Sequence, residues 1–186
     1  MGLGRNFCGP HHVGFLYELP FGAGRRFASS SRAFSAIAGG WQVNGIFGAY
    51  SGNPFTITAS GASLNAPGNT QTADQVKHNV DILGAVGPGQ LWFDTSAFAA
   101  VTAVRYGTSG RNIVRGPGAV RLDGSLFRQF RINERVNMQF RAEAFNIPNH
   151  AQFNNPGNAV NSANFGMITS AKPVERQFRL GLRLGF

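Results

Sequence analysis

Gln177-Phe-Arg-Leu-Gly-Leu-Arg-Leu-Gly-Phe186 is the stretch on which the fold turns. Side chains of an extended strand alternate between two faces. Phe178, Leu180, Leu182, Leu184 and Phe186 therefore share one face, and Gln177, Arg179, Gly181, Arg183 and Gly185 share the other. The alternation is unbroken, which identifies a strand. One face suits lipid and the other suits water or a polar lumen, the pattern of a strand in a transmembrane barrel.

The same pattern recurs upstream. In Arg135–Asn146, Val136, Met138, Phe140, Ala142 and Ala144 oppose Asn137, Gln139, Arg141 and Glu143. Before it, Val120, Leu122 and Leu126 alternate with Arg121, Asp123 and Ser125, and Arg131-Ile-Asn-Glu134 is short enough for a hairpin turn. Further back, Trp41, Val43, Phe47 and Ala49 alternate with Gln42, Asn44, Gly48 and Tyr50. Phe55-Thr-Ile-Thr-Ala is expected to continue that strand, with a bulge or break at Pro54, which cannot donate to a ladder. Val13, Phe15, Tyr17 and Leu19 form the first run. The expected fold is all-β: an antiparallel meander with strands at about 12–19, 41–58, 119–130, 135–146 and 175–186, forming a curved, open section of a large barrel.

The connections are unequal. Residues ~60–118 and ~147–174 are long and rich in Gly, Ala, Asn, Ser and Thr. Such lengths are unusual in a compact soluble domain and ordinary for the outer loops of a barrel, whose opposite rim carries short turns. With the last strand ending inside, both long loops fall outside, and the Glu134 turn and the ~20–40 connection fall inside. Ser31-Arg-Ala-Phe-Ser-Ala-Ile-Ala38 is expected to add a short helix to the latter.

Composition agrees with this reading and leaves one rival. The chain of 186 residues holds 25 glycines and 17 phenylalanines, with 13% charged residues. No run of apolar residues is long enough for a transmembrane helix. The net charge is +9, almost all of it arginine, since Lys77 and Lys172 are the lysines. A pI of about 11.3 raises binding to nucleic acid or another polyanion as the alternative function, carried by a soluble basic β-domain. Cys8 is the single cysteine, which excludes a disulfide within the chain. Met1-Gly-Leu-Gly-Arg-Asn-Phe7 has no apolar core of a signal peptide, so the start of the full protein is expected to lie upstream.

A set of short motifs resembles the Oar-like TonB-dependent receptors. They are Tyr17-Glu-Leu-Pro-Phe-Gly22, Gly39-Gly-Trp-Gln-Val-Asn-Gly45, Ser51-Gly-Asn-Pro-Phe55 and Trp92-Phe-Asp-Thr-Ser-Ala-Phe98. Gly110-Arg-Asn-Ile-Val-Arg-Gly-Pro-Gly118, Phe140-Arg-Ala-Glu-Ala-Phe-Asn-Ile-Pro-Asn-His150 and Phe165-Gly-Met-Ile-Thr-Ser-Ala171 complete it, in the family's order. The resemblance implies an outer-membrane barrel of roughly 22 strands around a plug, of which this chain carries the last five, without the plug or the TonB-contacting segment. It also implies that Phe178, Leu180, Leu182, Leu184 and Phe186 are the signal read by the barrel-assembly machinery, and that TonB acts through the missing N-terminal part. Metal chelates, oligosaccharides, peptides and exported proteins all fit the family as cargo.

No residue pattern points to catalysis. Asp123, Arg141 and Glu143 could suggest a carboxylate pair for acid–base work, but no nucleophile or histidine completes a site. With Gln139, Arg179 and Arg183 they are expected to form a lumen wall of polar and ion-paired side chains. His11 and His12 are expected in a solvated loop, and His78 and His150 stand isolated. Gly22-Ala-Gly-Arg-Arg26 lacks the ending of a phosphate loop. Arg25, Arg26 and Arg32 are expected to meet headgroups at the inner rim, and Arg105, Arg111 and Arg115 to contact lipopolysaccharide at the outer one. Trp41 is expected in an interfacial aromatic girdle and Trp92 in loop packing. The expectation is a non-enzymatic outer-membrane segment without cofactor or metal, whose partners are lipid, lipopolysaccharide and the assembly machinery rather than nucleic acid. Two strands would be left as edges, so the isolated chain is expected to aggregate.

Overall fold

The computed structural model describes residues 11–21 and 39–186. The helix expected at 31–38, together with Cys8, Arg25, Arg26 and Arg32, lies outside them. Among the described residues eleven strands follow in chain order: β1 (His11–Glu18), β2 (Trp41–Tyr50), β3 (Pro54–Phe55), β4 (Thr58–Ser60), β5 (Thr70–Thr72), β6 (Asp74–Gln75), β7 (Phe98–Ala99), β8 (Val114–Arg115), β9 (Ala119–Arg131), β10 (Asn137–Phe145) and β11 (Gln177–Gly185). They divide between two compact units, one built on a five-stranded sheet and one on the long connections.

The sheet unit has the order β1-β2-β9-β10-β11. β1 pairs antiparallel with β2, and β10 pairs antiparallel with both β9 and β11. Its two outermost strands, β1 and β11, run in the same direction, as the first and fifth members of an up-and-down series. Pairing aligns the stripes seen in the sequence. Met138, Phe140, Ala142 and Ala144 stand between Leu184, Leu182, Leu180 and Phe178 on one side and Phe130, Arg128, Leu126 and Gly124 on the other. Partners across a ladder project to the same face, so the apolar rows merge into one apolar face. On β1 and β2 the partners Val13 with Phe47 and Tyr17 with Val43 add to it. The Phe15 ring lies over Gly45, where a Cβ would collide with it.

Two tight structures hold the ends of β10. At its start, Ile132 N donates to Val136 O (3.0 Å), and Asn133 Oδ1 accepts from the amides of Arg135 (2.9 Å) and Val136 (2.7 Å). At its end stands Asn146, buried and with a positive φ of 50°. Its Nδ2 donates to Val174 O (2.6 Å) just before β11, its Oδ1 accepts from His150 N (3.1 Å), and its own amide donates to Asp123 Oδ1 (2.8 Å) on β9.

β2 ends at Tyr50, not near residue 58 as expected. Pro54 and Phe55 pair with Arg115 and Val114 instead, and Thr58–Ser60 pairs with Thr70–Thr72. A proline without an amide donor follows Gly52 and Asn53, so the ladder stops and the chain turns into the second unit. His11 and His12 also depart from expectation: they begin β1 rather than lying in a loop, and the His12 ring meets Tyr50 edge-on at 5.2 Å.

The loop unit comprises Ser51–Ala119 and Ala151–Pro173. It is a packed body with its own core of Phe55, Ile57, Phe93, Phe98 and Val114, among smaller side chains. Phe93 is fully buried at the centre, with ring centroids 6.1 Å from Phe55, 6.0 Å from Phe98 and 5.4 Å from Phe165. Backbone bonds stitch the two segments together: Thr58 N donates to Asn158 O (2.8 Å) and Val160 N to Thr58 O (2.9 Å). At Gly107 the backbone passes so close to the carbonyl of Thr72 that no Cβ fits.

Truncating a central buried aromatic removes packing on every side. Phe93→Ala is expected to destabilise the loop unit by roughly 3–5 kcal/mol. Hydrogen exchange should show faster exchange at 55–60 and 93–98, with protection of β9 and β10 retained. Unchanged protection around residue 93 would refute the packing role.

Candidate functional site

The face opposite the apolar one is polar, and registers place its members. Gln139 stands between Gln129 and Arg183, Arg141 between Phe127 and Gly181, and Glu143 between Ser125 and Arg179. Asp123 lies two residues beyond Ser125 on β9 and shares its face. Ser125 Oγ is hydrogen-bonded to Asn44 Oδ1, which brings Asn44 of β2 to the same side. All six residues expected in a lumen wall, Asp123, Gln139, Arg141, Glu143, Arg179 and Arg183, therefore share one face.

Their contacts are local. Arg141 Nη1 is 3.6 Å from Glu143 Oε1, and Arg121 Nε is 2.8 Å from Asp123 Oδ2. Asp123 is thus taken up by Arg121 and the Asn146 amide, and forms no pair with Glu143 of the kind acid–base chemistry needs. Arg179 lies over the Phe145 ring at 5.0 Å. Among the described residues, no group of three or more His, Cys, Asp or Glu side chains is arranged to hold a metal.

The apolar stripe of β11 is exposed, with Phe178 at 70% and Leu180 at 77%, and Phe186 follows the strand fully exposed. Trp41 lies at the start of β2, edge-on to Phe130 (6.4 Å) and Phe140 (5.9 Å). This is an aromatic cluster at the sheet end that carries the 132–136 turn. Trp92 packs against the loop core, and its Nε1 donates to Arg115 O (2.8 Å).

Of the three arginines expected at lipopolysaccharide, Arg105 is committed elsewhere. It grips Asp74 through both terminal nitrogens (2.7 and 2.9 Å). Arg111 is exposed. Arg115 is exposed too and directs Nη1 at Gly52 O (3.4 Å). A second ion pair joins Lys77 to Asp94 (2.6 Å), which also caps the short helical turn Thr95–Ala97 by accepting from Ser96 N (3.0 Å). Hydrogen bonding to Arg105 holds the Asp74 carboxyl below its ordinary value, and Lys77 and Ser96 do the same for Asp94. The loop unit also carries a groove of about 550 Å³ lined by Val86, Pro88, Phe153, Met167, Ile168 and Ala171, among others.

Sequence reading missed Arg128. It occupies the apolar face, opposite Phe140. The parity of Val120, Leu122 and Leu126 extends to residue 128 and could have exposed it.

An antiparallel sheet with one apolar and one polar face, whose strands β9 and β10 are joined by a short turn and whose other pairs β2–β9 and β10–β11 are linked by long connections, is the wall of a transmembrane β-barrel. The comparisons agree: the family model of the outer membrane beta barrel domain matches residues 11–179. The chain belongs to that family, and its place is the cell outer membrane. No curated protein and no solved structure matches it.

The two depressed carboxyls give the loop unit an acid limit. A depressed carboxyl stabilises the fold above its unfolded value and loses that contribution as pH falls through the lower folded value. Loop-unit protection from protease is expected to be constant at neutral pH and to decline below the ordinary value of 3.8. Asp74→Asn should lower protection at pH 7 and flatten the acid decline. Identical acid profiles for variant and parent would refute it.

Proposed function

We propose that the chain supplies wall and outer loops to a TonB-dependent receptor of the Oar-like kind, a non-enzymatic importer or exporter of the outer membrane. In this reading solute meets the long loops first and passes along the polar face, with TonB supplying the energy through a plug domain. The observation that carries it is the pairing of a polar inner face with long connections that fold into an ordered body with its own groove. A passive pore needs the first feature and not the second. The motif series from Tyr17-Glu-Leu-Pro-Phe to Phe165-Gly-Met-Ile-Thr adds the family resemblance.

Two partner assignments belong to the same reading. The exposed stripe Phe178, Leu180, Leu182 and Leu184, with Phe186, is presented to the barrel-assembly machinery. Arg111 and Arg115 are the loop cations for lipopolysaccharide phosphates, Arg105 being held by Asp74. Neither cofactor nor nucleic acid has a role. The net charge of +9 favours the rival, a soluble binder of polyanions.

Two measurements separate the readings. Purified full-length chain is expected to need detergent for recovery, whereas a monodisperse detergent-free monomer that binds heparin would establish the rival. In cells, labelled metal chelates, oligosaccharides and peptides should be screened for uptake lost when the gene is deleted. Uptake of that solute should fall to the deletion level when TonB is inactivated. Uptake indifferent to TonB would overturn the receptor reading and leave a passive barrel.

A further inference from the structure

We propose that the depression on the polar face bounded by Asn44, Ser125, Glu143, Ile46 and Phe145 is a subsite for one sugar unit of a neutral oligosaccharide. The inference rests on the reading of the polar face as the solute path, and it narrows the cargo left open there.

One row of side chains builds the polar floor. Asn44 on β2 is hydrogen-bonded to Ser125 on β9, Ser125 stands opposite Glu143 on β10, and Glu143 stands opposite Arg179 on β11. Partners across a ladder share a face and lie within reach of one ligand group. Ile46 and Phe145 stand two residues farther from the 132–136 turn on β2 and β10 and add an apolar side. Arg179, 5.0 Å from the centroid of the Phe145 ring, fixes that ring. The depression between these groups measures about 130 Å³. Ligands of drug size fill roughly 300–1,000 Å³, so the depression takes one unit of a longer solute while the rest extends along the wall.

The free hydrogen-bonding capacity is mixed. Glu143 meets Arg141 only at 3.6 Å, beyond hydrogen-bonding distance, and accepts no hydrogen bond from a described residue. Asn44 engages Ser125 through Oδ1, which leaves its Nδ2 to donate. A carboxylate acceptor, an amide donor and a hydroxyl that does both are thus presented side by side.

Charge then selects the solute. An anionic group would meet Glu143 at the centre and Asp123 beside Ser125. A cationic group would meet Arg121, 2.8 Å from Asp123, and Arg141 and Arg179, which flank Glu143. Like charges repel in either case. A neutral unit with hydroxyl edges and a C–H face avoids both repulsions. It also matches the division of the depression into a polar row and an apolar side, and that is the chemistry of a sugar ring.

The test is saturation-transfer NMR of the full chain in deuterated detergent micelles. The probes are two neutral hexasaccharides, maltohexaose and N-acetylchitohexaose, with hexagalacturonate as the anionic and deacetylated chitohexaose as the cationic counterpart. Saturable transfer to a neutral probe is expected, with transfer to both charged ones several-fold weaker. Glu143→Ala should weaken the neutral probe roughly tenfold, the loss that follows from removing hydrogen bonds to a charged group. Absence of transfer to both neutral probes would overturn the proposal, as would equal or tighter binding of a charged one, or equal binding by parent and variant. If Glu143→Ala does not fold, Glu143→Gln decides, since it keeps the shape and replaces a charge-assisted bond with a weaker neutral one. Binding several-fold weaker supports the subsite, and unchanged binding removes it. The outcome is separable from that of the TonB experiment: uptake indifferent to TonB leaves the subsite standing, and a chain that ignores sugars leaves the receptor reading standing.

Discussion

Backbone amides and carbonyls that sit in hydrocarbon must find partners within the protein, because lipid offers none. That constraint governs the sheet unit. β10 meets it on both sides, giving its bonds to β9 and β11. The register this fixes has steep consequences, because a slip of one residue moves every side chain to the opposite face. Here a slip of β11 would carry Arg179 and Arg183 into lipid and bring four large apolar side chains onto the polar wall. The Asn146 hub at the end of β10 resists that slip through its bond to Val174 just before β11, and the Asn133 turn at the other end holds β10 in register with β9.

The loop unit obeys a different economy. Water can satisfy its backbone, so no ladder needs to be long, and its strands are of two or three residues. Order comes from a compact aromatic core around Phe93 and from pairs that tie distant segments, such as Arg105 with Asp74. Fixed loops cost less ordering entropy when a solute binds than mobile ones. A surface that recognises solute benefits from such prior order, whereas a strand pattern alone would not provide it.

The sheet was legible because period-two alternation is a strong signal over eight or more residues, and the apolar stripes of β10 and β11 carry it without interruption, that of β9 being broken at Arg128. The polar row from Asp123 to Arg183 was readable for the same reason. What escaped had no period. β3 and β4 continue the composition of β2, and nothing in Phe55-Thr-Ile-Thr-Ala says that it pairs with residues near 70 and 114 rather than with the sheet. The Asp74–Arg105 pair spans 31 positions and follows from packing, so Arg105 read as an available cation. His11 and His12 were placed in a loop because Gly9-Pro10 precedes them, although His11 continues the parity of Val13 and Phe15. Arg128 was visible by parity, yet a charge within an apolar stripe invites dismissal until the rings around it are seen.

The common direction of β1 and β11 has an arithmetic consequence. Identical copies joined edge to edge, all facing the membrane the same way, would meet through parallel strands at each junction. Pairing two β11 edges antiparallel would turn one copy upside down and send its long loops to the wrong side of the bilayer. A ring in which every neighbour is antiparallel has an even number of strands, so any such ring containing this sheet draws an odd number from outside it. Identical copies of this sheet inserted the same way thus cannot by themselves close a ring that is antiparallel throughout.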